Sequence, residues 1–266
     1  MKSFDLYCKV MHRNGTYGEN LKKGFTLIEL AIVVVVLGIL IGGIVTGQSI
    51  INTAKRQKVI KDVESYKTAF YDFYNNYNAL PGDFDEGGDY FDLTSYPNQH
   101  SSRPNDNGRI EYARAESIMV WPHLAKAEIL PNILHKHDGV PYPDSRAGTL
   151  GVNIPEAPWD GCGYKFSYDQ NQGTTSHRNW LQVSSEFNGL SGAACVSAED
   201  NKYIDEKIDD GHSRRGFVQG THAKGTDKFG DTGATYYRCY HANGGYRINN
   251  SNVERGCVML FDWELF

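Results

Sequence analysis

Apolar and polar positions divide the chain into regimes with different periods. From Leu30 to Val45 every residue is apolar or glycine, and between Phe25 and Gln48 the only ionisable side chain is Glu29. Counting Phe25–Ile28, this run reaches the roughly 20 residues that span a bilayer. A polar but periodic section follows. Val59, Val63, Tyr66, Phe70, Phe73 and Tyr77 recur at alternating steps of four and three, which makes a single helical stripe. Lys58, Lys61, Asp62 and Lys67 fall mostly off that stripe. The pattern stops at Asn78-Ala79-Leu80-Pro81-Gly82, because proline and glycine end helices. One helix of fifty-odd residues is predicted, on the order of 80 Å long. Its front faces lipid or other subunits, and its back lays an aromatic stripe on a globular domain.

The pattern beyond the helix is shorter in wavelength. Residues 82–108 read as a polar connector rich in Gly, Pro, Asn and Asp. A second helix is predicted over Glu111–Leu130, with Ala115, Ile118, Met119, Leu124 and Ala127 apolar and Pro122 kinking or restarting it. Residues 131–160 carry five prolines and read as irregular. Strands are predicted at Gly163–Tyr168, Asn179–Ser185, Tyr236–His241 and Cys257–Phe266, from their aromatic and β-branched content. Ser197–Asp210 reads as a short helix, capped by Ser197 with Asp200 and stopped by Gly211. No internal repeat is visible. The expected class is α+β: a long N-terminal helix, membrane-spanning in its first half, packed on a small antiparallel sheet.

Charge sets the topology. The first 24 residues carry Lys2, Lys9, Arg13, Lys22 and Lys23 against Asp5 and Glu19, a net of +3. The positive-inside rule leaves this leader in the cytoplasm and sends the chain after residue ~50 outside. The other 242 residues hold 22 basic and 30 acidic side chains, net −8. That balance argues against a general nucleic-acid grip, which needs a basic surface. About 190 residues lie beyond the helix, enough for one sizeable globular domain. Met11 is a second candidate start.

The order of features at the leader's end is unusual. Lys22-Lys23-Gly24-Phe25-Thr26-Leu27-Ile28-Glu29 places a charged leader, a glycine, an aromatic residue and one carboxylate before the apolar run. Ordinary export signals place their small-residue cleavage site after the apolar core. The stretch resembles the processing site of type IV prepilins and type II secretion pseudopilins. The resemblance implies a pilin-like fold, cleavage after Gly24 by a prepilin peptidase, and N-methylation of the new terminus, Phe25. It also makes Glu29 the register residue of an assembling filament. Tyr77–Asp83, Trp121–Leu124 and Ile204–Gly211 look like segments of large pilin-like proteins as well. One departure is the lack of a proline about twenty residues into the mature chain. Gly42, Gly43 and Gly47 stand there. They either let the helix melt locally on assembly, each costing about 1 kcal/mol relative to alanine, or allow close helix packing.

Physics bears on Glu29 independently. A carboxylate deep in hydrocarbon costs roughly 2.5–3.5 kcal/mol even on lenient scales, so it is expected to have a partner. The candidates are the α-amino group of Phe25 after cleavage or that of a neighbouring subunit. The alternative is a glutamate near the interface that snorkels to water.

Cys8 lies in the leader, and Cys162, Cys195, Cys239 and Cys257 remain. An even set in a non-cytoplasmic domain points to two disulfides, with three connectivities open. Pilins often staple a C-terminal loop, so the resemblance favours Cys239–Cys257, and with it Cys162–Cys195. Buried free thiols are the alternative. No C-x-x-C pair supports a zinc ribbon.

Other candidate chemistry is weak. Asp83, Asp85, Glu86, Asp89 and Asp92 cluster within ten residues, and Asn105-Asp106-Asn107-Gly108 forms a second loop. Neither has an EF-hand's ligand order, since Thr94 and Arg114 stand where a bidentate glutamate is needed. Calcium through backbone carbonyls is the one cofactor these loops suggest, and solvated turns are the default. Asp205, Glu206, Asp209 and Asp210 are expected to line the solvated face of their helix, since Ile204 and Ile208 supply a buried one. The histidines are scattered. His135 and His137 do not share a helix face, and His123 reads as a packed helix residue. No zincin, nucleophile-elbow, P-loop or dinucleotide motif is present. Arg214, Arg215, Lys224 and Lys228 edge a Gly/Ser/Thr/His-rich stretch, 211–235, that reads as an exposed loop.

The expectation is a non-enzymatic filament subunit in four parts: leader 1–24, transmembrane and filament-core helix 25–50, amphipathic helix 51–80, and outer domain 81–266. It enters the inner membrane in a single pass and ends in a periplasmic or cell-surface filament. The implied partners are the prepilin peptidase, sister pilins, and an assembly platform with its ATPase. A type II secretion pseudopilin is the alternative within the class. A membrane-anchored binding or enzymatic domain with a prepilin-like signal is the alternative outside it.

Overall fold

The structure, a computed structural model, describes residues 25–91, 104–111, 116–131, 133, 148–169, 178–185, 193–222, 239–241, 243–248 and 256–263. The chain forms two compact units that divide between Ser49 and Ile50.

Helix α1 runs Leu27–Tyr77. In the first unit its side chains are exposed from Phe25 to Ser49, with only Gly47 intermediate. By length and composition α1 can cross a membrane. In the second unit its pattern changes to the expected stripe. Val59, Val63, Tyr66, Phe70 and Phe73 are buried, joined by Ala69, while Tyr77 is half-buried. The helix ends as Asn78 turns left-handed at φ 53°, with its N–H donated to Tyr74 O at 2.7 Å. Asparagine tolerates that conformation better than a branched residue does.

Four strands form one antiparallel sheet in the order β1-β2-β4-β3: β1 Gly163–Asp169, β2 Arg178–Ser184, β3 Val218–His222 and β4 Cys257–Asp262. The register aligns Phe166, Leu181, Phe261 and Val218 in a row across the sheet. This face and the α1 stripe form the main core. Phe70 lies 4.5 Å from Phe166 and 5.3 Å from Trp263, centroid to centroid, and Tyr66 meets Tyr164 edge-on at 5.2 Å. Each such side chain stabilises the fold by about 1.5–3 kcal/mol through area burial alone. Since side chains alternate along a strand, Trp180, Val258 and Leu260 take the opposite face, where they form a second cluster with Ala194.

Helix α2 spans Gly87–Phe91 and α3 spans Glu116–Lys126. The polar connector holds α2 and buries Asp83, Phe84 and Phe91. Helix α3 begins at Glu116 rather than Glu111; the Glu111 N–H donates to the Glu116 carboxylate at 2.5 Å, and residues 112–115 lie outside the described residues. Pro122 lies inside α3 and neither ends nor restarts it. Helix α4 is Ala198–Ile208, with Ser197 as N-cap accepting the Asp200 N–H at 3.0 Å. The stretch read as an exposed loop contains β3. The described part of the strand predicted at Tyr236–His241 is an isolated bridge, Tyr240 to Tyr246, and its remainder lies outside the described residues.

Cys162 is bonded to Cys195, and Cys239 to Cys257. Val196 and Cys257 exchange backbone hydrogen bonds at 3.1 and 3.0 Å, and Cys195 N–H also donates to Cys257 O. The two disulfides are thereby joined through one β-bridge.

Candidate functional site

The start of α1 carries the feature the sequence singles out. A helix leaves its first N–H groups without intrahelical partners, a serious cost in an apolar medium. Thr26 and Glu29 resolve this reciprocally. Glu29 Oε2 accepts both the N–H and the hydroxyl of Thr26, each at 2.8 Å. Thr26 Oγ1 accepts the Glu29 N–H at 3.3 Å. This is a capping box, and its Thr-x-x-Glu signature stands directly before the apolar run. Thr26 was missed in the sequence reading, although that signature was available to find it. Glu29 Oε1 makes no hydrogen bond among the described residues, so one carboxylate oxygen holds the helix end and the other faces outward. Gly24, at the expected cut, lies outside the described residues. Phe25 is described and exposed.

Beyond this box, exposed large apolar side chains run from Leu27 to Ile51. An uncovered apolar surface of this extent marks a membrane or protein partner rather than a solvated face.

Two polar centres lie in the second unit, and both correct the sequence reading. Asp83 is buried rather than part of a solvated turn. Its carboxylate accepts the N–H of Gly108 at 2.6 Å and of Asn105 at 3.4 Å, while its carbonyl accepts the N–H of Asp106 at 3.0 Å. The two loops considered separately for calcium are thus wrapped on each other, with Asp83 as the internal anion. Burial pushes its carboxyl up to about 6, against the lowering effect of those N–H donors. Next to it, His123 is fully buried and its Nδ1 accepts the Gly82 N–H at 2.9 Å. Gly82 has φ +96°, and a Cβ there would stand 2.6 Å from Glu116 O, so the turn requires glycine.

The second centre is at the end of α4. Carboxylate oxygens of Asp205, Asp209 and Asp210 lie within 4.8 Å of one another, as a cation would require. They are already engaged. Asp205 accepts the Tyr246 hydroxyl at 2.7 Å and the Gly211 N–H at 2.8 Å. Asp209 accepts the Val218 N–H at 2.8 Å. Asp210 accepts the His212 N–H at 2.7 Å and pairs with Arg215 Nε at 2.8 Å. Asp205 is buried, and burial pushes its carboxyl up to about 6. These acids therefore do not simply line a solvated face. They tie α4 to β3 and to the loop closed by Cys239–Cys257.

Arg56 of α1 completes this end of the second unit. Its Nε lies 2.6 Å from Asp200, its NH2 lies 3.3 Å from Glu199, and its guanidinium stacks on Tyr203 at 4.7 Å. Of the remaining sequence candidates, Asp92, His135, His137, Lys224 and Lys228 lie outside the described residues.

The family model described as the prokaryotic N-terminal methylation motif matches residues 20–45. That segment carries the prepilin signal of type IV pilins and pseudopilins, and it contains the Thr26–Glu29 box and most of the exposed apolar run. No curated protein and no solved structure matches the chain.

Proposed function

We propose that this chain is the structural subunit of a type IV pilus or a pilus-like filament. The observation that carries the reading is the methylation motif at 20–45, set directly on a helix whose apolar side chains are uncovered. In this reading the precursor sits in the inner membrane with its leader in the cytoplasm. A prepilin peptidase cuts after Gly24 and Phe25 is methylated. The subunit is then drawn into a polymer in which helices 25–50 of sister subunits replace lipid, so apolar burial is exchanged rather than lost. An assembly platform and its ATPase drive the extraction. The outward oxygen of Glu29 suits a salt bridge to a neighbour's α-amino group, which would fix the axial register. The chain contributes no catalysis, and its outer domain coats the filament. The motif supports a secretion pseudopilus equally.

Mass spectrometry of the N-terminal peptide from membrane or sheared-filament fractions tests this. The expected peptide begins at Phe25 with one added methyl. An intact leader in cells with active peptidase would favour a membrane-anchored domain instead. Glu29→Ala is expected to leave cleavage largely intact and to block filament incorporation.

A further inference from the structure

We propose that Asn107-Gly108 is a self-modifying site, at which Asp83 acts as general base for cyclisation of Asn107 to a succinimide. Three contacts carry the proposal. Asn107 is exposed, and its Oδ1 accepts the Arg109 N–H at 2.9 Å. This side-chain turn folds the amide over its own following peptide. The Gly108 N–H in turn donates to Asp83 Oδ2 at 2.6 Å, so the nitrogen that must attack already shares its proton with a carboxylate. Nδ2 of Asn107 lies 3.4 Å from Glu111 Oε2. Among the described residues no side chain obstructs Gly108, which has φ +78° and open space where a Cβ would be. Burial also makes Asp83 a stronger base than a surface aspartate.

The step balances with water as the only co-reactant. The Gly108 nitrogen attacks Asn107 Cγ as its proton passes to Asp83. Negative charge gathers on Oδ1, where the Arg109 N–H stabilises it. The Cγ–Nδ2 bond then breaks and ammonia leaves, carrying the proton that Asp83 returns through solvent. Water opens the five-membered imide at either carbonyl and leaves aspartate or isoaspartate. The succinimide nitrogen has no hydrogen, so the Gly108–Asp83 bond is lost at that stage. The final product adds a carboxylate beside Asp106, whose own carboxyl is pushed up by burial and by the charge of Asp85. Cyclisation would therefore loosen the 104–111 loop from the turn after α1.

The chain contains its own control. Asn243-Gly244 has the same side-chain turn, with Asn243 Oδ1 accepting the Gly245 N–H at 3.2 Å, and Asn243 is also exposed. There the Gly244 N–H donates to a carbonyl, His241 O, at 2.9 Å. A carbonyl cannot take the proton, and Gly244 differs further in being buried, with the His212 ring 2.1 Å from where a Cβ would stand. The full-length protein in detergent micelles is aged at neutral pH, and peptides covering both pairs are followed by mass spectrometry for loss of ammonia and for isoaspartate. Modification at Asn107 is expected to exceed that at Asn243 by ~100-fold or more, the lower end of general-base effects. The ratio should fall to near one in the denatured chain, and the Asn107 rate itself should drop by a similar factor in folded Asp83→Asn. Equal rates at both sites in the native protein overturn the proposal. So does an Asn107 rate below that of the denatured chain, a comparison that needs no variant.

Discussion

Gly82 donates its backbone N–H to Nδ1 of His123, a residue 41 positions later, across a distance of 2.9 Å. This bond fixes the imidazole tautomer: Nδ1 is the acceptor, so the proton of the neutral ring sits on Nε2. Phe73 stacks parallel to the ring at 6.0 Å, and Phe91 and Phe84 lie 5.7 and 6.2 Å away. A protonated ring would point a second donor at the Gly82 N–H and place a charge among aromatics. Burial accordingly pushes the His123 imidazole down to about 3.

The pH consequence has a definite sign. The unfolded chain binds a proton at this histidine near 6.5 and the folded chain near 3, so stability rises with pH across that window and levels off above it. Asp83 and Asp205 act oppositely, because their raised carboxyls favour the folded state when protonated; stability from these two falls as pH rises from about 4 to about 6. Comparing wild type with His123→Gln by denaturant melts isolates the histidine. The variant's deficit should shrink by on the order of 3–5 kcal/mol between pH 6.5 and 3. A deficit independent of pH would show that His123 titrates normally.

Tyr246→Phe removes the hydroxyl that Asp205 accepts at 2.7 Å. A bond to a charged acceptor is worth about 1.5–3 kcal/mol. The loss should be full above pH 7 and smaller below pH 5. Asp205 is protonated there in the folded state, so the charge that the tyrosine stabilises is gone. The same stability loss at both pH values would count against an ionised Asp205.

Arg56→Ala should destabilise the protein by about 2–4 kcal/mol, because it leaves Asp200 poorly paired while 85 % shielded from solvent, its side chain being 15 % exposed. Arg56→Lys should rescue little, since an ammonium cannot fork to two carboxylates and stack on Tyr203 at once. A double-mutant cycle with Asp200→Asn measures the coupling, and additive losses would refute the pairing.

Thr26→Val deletes half of the capping box and leaves side-chain volume nearly unchanged. A cap of this kind is worth about 1 kcal/mol. Hydrogen exchange at residues 27–29 in micelles should quicken about 5-fold, and Thr26→Ser should restore it. Unchanged exchange in the valine variant would mean that the box is not formed.

What was legible in the sequence follows from the range of the forces involved. The stripe from Val59 to Phe73 announces itself because helical contacts recur every three or four residues. The cap at Ser197 is equally local. Strand β3 is not. Its sequence, Val-Gln-Gly-Thr-His, looks like a loop, and it extends because Cys257–Phe261 of β4 offers a ladder. Gly220 fits that strand through tertiary crowding: a Cβ there would meet Asn201, Cys239 Sγ and Tyr246 at 2.7–2.8 Å. Asp83 and Asp205 were misplaced at the surface for a related reason. The donors that permit their burial come from residues 22 and 25 positions away for Asp83 and 41 for Tyr246.

The joined disulfides have a mechanical meaning. Cys162–Cys195 closes off a separation of 33 residues and Cys239–Cys257 one of 18. At about 3.4 Å per extended residue, these hold back roughly 110 and 60 Å of contour length. A pull along the chain must bypass both loops, β1 and β2 included, and load the Val196–Cys257 bridge and the β3–β4 ladder. Under tension the domain can lengthen only by the segments outside the crosslinks, so it would behave as a link of limited extension until its sulfurs are reduced.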